Sequence, residues 1–179
     1  MKIYFRSDTH ETTRYELSPL MDLETAKVNF DRVILCGDNV DFKNTEDKVK
    51  ADWLFNYYNT MEGIDYLYGN HELQPAKYLK INDIWIEHGD EVFNGHPRVV
   101  DTPCNSKIIR FLKSLGNKQT IYRHMKLKPE HKDRLAARAK ENGCSTIVVG
   151  HFHPVNVIDI KHNDVRIVIL PRGETVFIT

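Results

Sequence analysis

The chain has 179 residues, enough for one well-buried domain and too few for two ordinary ones. Its 25 Lys and Arg offset 25 Asp and Glu, so bulk charge gives no case for a nucleic-acid or membrane-surface binder, and no apolar run is long enough to span a bilayer. Cys36, Cys104 and Cys144 are odd in number and far apart, which fits reduced thiols rather than a disulfide framework. The amino end enters a strand pattern at once, without room for a signal peptide, so a cytoplasmic location is expected.

In chain order, "KIYF" before "RSDTH" reads as a buried strand, and Asp22–Asn29 as a helix. "RVILC" before "GDNVD" is a second strand, followed by a helix at Glu46–Glu62. "IDYLY" before "GNHE" is a third, and a shorter helix is predicted over Glu72–Leu79. "DIWI" before "EHGD" and "STIVV" before "GHFHP" repeat the theme, and the tail reads as three more strands with turns at His162–Asp164 and Pro171–Glu174. This alternation predicts an α/β fold in a single domain, 1–179, without internal repeats.

In open α/β sheets, ligands bind outside the carboxyl ends of the strands. Here those ends carry Asp8 and His10, Asp38 and Asp41, Asn70 and His71, His88 and Asp90, then His151 and His153. A plain turn does not require such residues five times in succession. In "GHFHP" the histidines are two apart, so extended backbone would point both the same way, and neutral imidazole is the commonest metal ligand. Carboxylate, amide oxygen and imidazole without thiolate suit Mn²⁺, Zn²⁺, Fe or Ni²⁺ better than a structural zinc cage. The ligands exceed one ion's needs, and with one shared carboxylate they make two sites of about four ligands each, the arrangement that clamps a phosphoryl group.

The ordered blocks Asp8-x-His10, Gly37-Asp38-x-x-Asp41, Gly69-Asn70-His71-Glu72, His88 and Gly150-His151-x-His153 resemble the signature of the calcineurin-like metallophosphoesterases. That resemblance implies a four-layer αββα sandwich of two mixed sheets, with one divalent ion among Asp8, His10, Asp38 and His153 and a second among Asp38, Asn70, His88 and His151. It implies a metal-bound water or hydroxide as nucleophile, His71 as the group that protonates the leaving oxygen or stabilises the transition state, and Asp41 as its orienting carboxylate. Mn²⁺ is the ion expected in vitro, with Fe, Zn²⁺ or Ni²⁺ as alternatives. "GDNVDFKN" and "EHGDEVFNGH" are most similar to the bacterial UDP-2,3-diacylglucosamine hydrolase-like branch, although no acyl-chain groove is visible in the sequence. Phe42 stands where the protein-phosphatase branch has Arg, which disfavours a Ser/Thr phosphatase.

Between Lys107 and Lys140 eleven Lys or Arg face two acidic residues, a balance of +9, leaving −9 for the rest of a neutral chain. "NSKIIRFLKSLG" and "PEHKDRLAARAKENG" read as helices, the second with Pro129 in its first turn and Asn142-Gly143 as its stop. The insertion at about 96–143 leaves the sheet after His88 and returns before His151, so it is expected to form a cap beside the metal centre. Arg110, Arg123 and Arg134 are candidates to hold a second anionic group of the substrate, as is Asn39 to touch it; His124 and Tyr122 are weaker candidates. His96, His131 and His162 match no motif and read as surface residues. The leading expectation is a phosphodiesterase or pyrophosphohydrolase on a small phosphoester. A nuclease using the basic segment and a non-catalytic scaffold of the same fold are the alternatives. The natural substrate and the oligomeric state are not legible.

Overall fold

The computed structural model describes residues 1–11, 21–43, 45, 47–94 and 127–178. Its elements are β1 (Lys2–Ser7), α1 (Leu23–Asn29), β2 (Arg32–Cys36), α2 (Lys48–Thr60), β3 (Ile64–Leu67), β4 (Tyr78–Ile81), β5 (Ile84–Glu87), α3 (Asp90–Asn94), α4 (Pro129–Glu141), β6 (Thr146–Val149), β7 (Ile158–His162), β8 (Val165–Ile169) and β9 (Gly173–Ile178). They form two mixed sheets, ordered β3-β2-β1-β9 and β4-β5-β6-β8-β7, in the α/β architecture expected. No helix among the described residues is long and apolar enough to cross a membrane.

Side chains alternate across a strand, so a strand buried on both faces reads as a continuous apolar run. Ile3, Phe5, Ile34, Cys36, Val148 and Val168 point into a core between the sheets. Their neighbours Tyr4, Val33 and Leu35 pack outward with α1 and α2, through Leu23, Ala26, Ala51 and Leu54. On the opposite side Ile147, Val149, Ile167 and Ile169 pack with Leu135, Ala136 and Ala139 of α4. Three cores between four layers make the sandwich, and each buried aliphatic side chain contributes ~1.5–3 kcal/mol to holding them together.

The helices start where short polar side chains take up orphan amides. Asp22 accepts from Thr25 N at 3.1 Å, and Asp47 from Lys50 N at 2.9 Å. The helix expected at Glu72–Leu79 is absent: residues 70–73 are turn, and Tyr78–Ile81 forms edge strand β4, antiparallel to β5. Asn82, at φ 52°, lets Asn82-Asp83 close that hairpin in two residues.

In the described part of the basic segment, α4 lays its apolar stripe on the outer face of the five-stranded sheet. Hydrophobic burial fixes that placement, because Leu135, Ala136 and Ala139 have nowhere else to hide from water. The helix expected over "NSKIIRFLKSLG", with Arg110, Arg123, Tyr122, His124, His96 and Cys104, lies outside the described residues. Cys36 and Cys144 are free and buried.

Candidate metal centre

β1, β2 and β3 run parallel in one sheet, and β5, β6 and β8 in the other. Their carboxyl ends meet at one edge of the sandwich. Asp8 and His10 follow β1, Asp38 and Asp41 follow β2, Asn70 and His71 follow β3, His88 follows β5, and His151 and His153 follow β6. The loops are laced by backbone bonds: Asp8 N donates to Gly37 O at 3.0 Å, His10 N to Asp38 O at 3.0 Å, and Phe42 N to His71 O at 3.0 Å.

Five of these residues hold left-handed backbone: Asp8 (φ 57°), His10 (51°), Asp38 (52°), His151 (63°) and His153 (47°). Non-glycine residues enter that region at a cost of ~1–3 kcal/mol each, and such strain collects at functional sites. His151 and His153 therefore do not converge through extended alternation, as the spacing suggested; the reversed backbone turns them inward. Glycines make the room. A Cβ on Gly69 would lie 2.1 Å from Asp38 Oδ1, and one on Gly150 would lie 2.2 Å from Ser7 Oγ and 2.8 Å from Asp8 Oδ2.

Among the described residues three clusters result, in each of which the candidate ligand atoms lie within 4.8 Å of one another: Asp8, His10 and His153; Asp38, His88 and His151; and His10, Asp41 and His71. His153 Nε2 is 2.8 Å from Asp8 Oδ1. His88 Nδ1 donates to Cys36 O at 3.0 Å, which leaves Nε2 facing Asp38 Oδ2 at 3.2 Å and His151 Nδ1 at 3.2 Å. His71 Nδ1 donates to Asp41 Oδ1 at 2.8 Å, while its Nε2 stands 3.8 Å from Asp38 Oδ2. Asp41 Oδ2 also lies 3.4 Å from His10 Nδ1.

The electrostatics fit divalent cations. Asp8 and Asp38 are buried, and although burial disfavours their charge, the surrounding imidazoles hold both carboxyls well below the usual range. Burial also works against a charge on His88, but Asp38 and Asp8 outweigh it and lift its pKa to about 10. Burial and the adjacent His88 push His151 down to about 4. Asn70 Oδ1 is buried with no hydrogen-bond partner among the described residues. An orphaned amide oxygen, two imidazole nitrogens 3.2 Å apart and two buried carboxylates make a donor set that a pair of hard-to-borderline cations satisfies.

Two substrate candidates are placed elsewhere. Asn39 is fully buried, accepting from Thr9 Oγ1 at 3.0 Å and donating to Gly37 O at 3.2 Å, so its amide braces the loop and does not face substrate. Arg134 turns to the end of α3, donating to Val92 O at 3.2 Å and Phe93 O at 3.4 Å. His131 is a core residue, 4 % exposed, packed on Phe93 and Phe152, and Phe93 in turn packs on His151. His162 accepts a surface role beside Asp133, 2.7 Å away.

Two further residues of the site were given no role in the sequence reading. Glu72 accepts from four backbone amides of the two central loops. Arg172 donates to Asp8 O at 3.0 Å and Thr9 O at 3.3 Å, holding the strained turn after β1. Glu72 carried a signal, since it closes the Gly-Asn-His-Glu block, whereas nothing near Arg172 in the sequence announces its target. Beside His88 opens a cleft of about 230 Å³ whose walls include Tyr68, Lys77, Tyr78, Glu87, Asp90 and Arg138.

The calcineurin-like phosphoesterase superfamily domain matches residues 1–174. No curated protein matches the chain. Among solved structures, the chain is similar to a predicted phosphoesterase from Streptococcus pneumoniae TIGR4, at 15% identity and a TM-score of 0.46, covering 98% of this chain and 82% of that one. It is similar to Vacuolar Protein Sorting 29 from Cryptosporidium parvum, at 12% identity and a TM-score of 0.49, covering 96% and 74%. A third is the cold-active protein-tyrosine phosphatase of a Shewanella species, at 14% identity and a TM-score of 0.44, covering 98% and 74%.

Proposed function

This chain belongs to the calcineurin-like phosphoesterase superfamily and is a hydrolase of phosphoric esters; from that premise we propose a two-cation phosphodiesterase or pyrophosphohydrolase acting on a small anionic substrate. The observation that carries this reading is the adjacency of a coordinating set and a proton donor. His71 Nε2 stands 3.8 Å from Asp38, a member of the Asp38, His88 and His151 cluster, while Asp41 holds its Nδ1 at 2.8 Å.

Asp8, His10, Asp38 and His153 would hold one cation, and Asp38, Asn70, His88 and His151 the other. Mn²⁺ is the ion for in-vitro work, and Fe, Zn²⁺ and Ni²⁺ suit the same oxygen and nitrogen donors. Bound cations supply positive charge to the phosphoryl oxygens and acidify water. The chain's own groups do the rest. Asp41 accepts the Nδ1 proton of His71, which orients the ring and aims Nε2 at the site, where the protonated ring would present its second proton. Burial opposes protonation of His71, but Asp38 and Asp41 more than offset it and raise its pKa, so the ring keeps a proton to give to the leaving oxygen. Glycines at positions 69 and 150 keep Asp38 and Asp8 close to the backbone turns that aim them. The cleft beside His88 is where the organic part of the substrate would lie.

A nuclease is the weaker reading. In the described part of the basic segment Arg134 is spent on main-chain carbonyls, and Arg138 pairs with Glu91 at 3.2 Å and lies 3.5 Å from Glu87, so neither is presented to a phosphate backbone. One panel tests the assignment: purified protein with Mn²⁺ against mono- and diester p-nitrophenyl phosphates, 2′,3′-cyclic nucleotides, nucleotide-sugar pyrophosphates and single-stranded nucleic acid. Turnover of diester or pyrophosphate that chelator abolishes is expected. Metal-independent turnover, or turnover of nucleic acid alone, overturns it.

A further inference from the structure

We infer that Glu72 is the positioning residue of the dimetal centre, a buried carboxylate that fixes the Asp38 loop and the Asn70-His71 loop relative to each other. The inference rests on the metal-centre reading given above. Glu72 is 1 % exposed. Its Oε1 accepts from Asn39 N at 2.7 Å, Val40 N at 3.1 Å and Tyr66 Oη at 3.0 Å, and its Oε2 accepts from Gly69 N at 2.6 Å and Asp38 N at 2.9 Å. A carboxylate offers about four lone-pair sites, so five donors saturate it and leave nothing for a cation. Glu72 is therefore no ligand, although it follows Asn70 and His71 directly.

What it does follows from where the donors come from. Asp38, Asn39 and Val40 belong to the turn after β2, Gly69 to the turn after β3, and Tyr66 to β3 itself. In a turn with Asp38 in left-handed backbone, three successive amides point inward with no ladder partner, and a buried amide left unmet is costly. One side chain from the adjacent strand end meets all three. In return the Asp38 carboxylate accepts from His71 N at 2.7 Å, so each loop holds the other by a carboxylate. The spacing between Asp38, Asn70 and His71 is set by this reciprocal pair, and with it the geometry of the second cation site and of the proton donor.

Glu72→Gln keeps the shape and one oxygen but turns an NH₂ toward either the Asp38 and Gly69 amides or the Asn39 and Val40 amides. The test uses the full chain. Amide exchange in metal-free protein should speed up at Asp38 and Gly69, or at Asn39 and Val40, while core amides such as Ile34 and Val148 keep their protection. Calorimetric titration with Mn²⁺ should show binding weakened about 10–100-fold, the usual effect of losing a residue that orients metal ligands. Tyr66→Phe, which leaves all four amide bonds, should bind Mn²⁺ within a fewfold of wild type. Glu72→Gln with unchanged loop protection overturns the inference, whatever the metals do. So does Glu72→Gln that loses core protection or fails to fold, or Tyr66→Phe as damaging as Glu72→Gln, because either makes the residue a packing element only. A wild type that binds no Mn²⁺ overturns the proposed function instead, and the exchange arm still decides whether Glu72 holds the loops.

Discussion

Asp38 and His88 meet at 3.2 Å, Oδ2 to Nε2, although one follows β2 in the first sheet and the other follows β5 in the second. Their contact spans the sandwich, so the metal centre is also a place where the two sheets are joined. Gly37 allows it: with φ 80° and no Cβ, it leaves space for the His88 ring, which a methyl group would approach to 2.5 Å. Changes at this edge should therefore register in both metal content and stability.

Gly150→Ala should damage the Asp8 side of the centre without replacing any ligand. The new methyl would meet Ser7 Oγ and Asp8 Oδ2, both closer than van der Waals contact allows. Since Ser7 Oγ donates to Asp8 Oδ2 at 2.5 Å, moving one moves the other. A loss of ~1–3 kcal/mol in folding stability is expected from overpacking, with weaker binding of one of two ions by calorimetry. Normal affinity for both would show that the loop has slack.

His71→Ala should separate chemistry from coordination. Metal content should stay near wild type, and the rate should fall ~10²–10⁴-fold, the usual contribution of a positioned acid. A general acid must be protonated, and the pKa of His71 is raised, so the wild-type rate should fall as pH rises through that value. The alkaline limb should vanish in the variant, and the defect should shrink for leaving groups acidic enough to depart without a proton. Loss of metal from the variant would make His71 a ligand.

Metal-free protein should lose stability as the solution becomes alkaline. His88 is raised to about 10 from an ordinary 6.5, so its contribution is complete below about pH 6.5 and disappears as pH rises through about 10. Asp8 and Asp38 are lowered, so their contribution is present above the ordinary carboxylate range and is lost as pH falls below it. Thermal melts in chelator should show both declines. Metal, which requires neutral imidazole, should remove the alkaline one, and an unchanged alkaline slope with metal bound would place His88 outside the coordination shell.

Arg134→Ala should leave turnover of every substrate in the panel unchanged, because its guanidinium is given to the carbonyls of Val92 and Phe93 at the end of α3. At this exposed position a stability loss of at most ~1 kcal/mol is expected. A raised KM for one anionic substrate, with stability intact, would return Arg134 to the role that its charge and position in the basic segment first suggested.

The candidate site was legible because its residues are announced locally. A turn that must carry Asp38 and Asp41, or Asn70 and His71, leaves a short pattern that survives in one dimension. The strands were legible for the same reason, since burial on both faces writes continuous apolar runs such as "RVILC" and "STIVV". What failed was set by partners outside the segment being read. Tyr78–Ile81 is a strand because β5 pairs with it, a fact hidden from the helix-like segment it closes, although Asn-Asp between two alternating runs was a hairpin signal. His131 and Asn39 were misplaced because polar residues read as exposed until Phe93, Phe152 and Thr9 are seen to enclose them. The segment's place between His88 and His151 suggested a cap, while the three small or apolar residues Leu135, Ala136 and Ala139 decided where α4 lies.

Metal analysis of the purified chain beside its Asp38→Asn variant tests the central claim most directly. Asp38 meets His88 at 3.2 Å and His71 at 3.8 Å, and the proposed centre has its carboxylate shared by the two cations. After loading with Mn²⁺ and removal of excess, the wild type should hold about two ions per chain and hydrolyse a phosphodiester, and Asp38→Asn should hold fewer than one and be inactive while folding normally. A wild type fully active with one ion or none, or an Asp38→Asn variant that keeps two ions and its turnover, would contradict the shared-carboxylate centre.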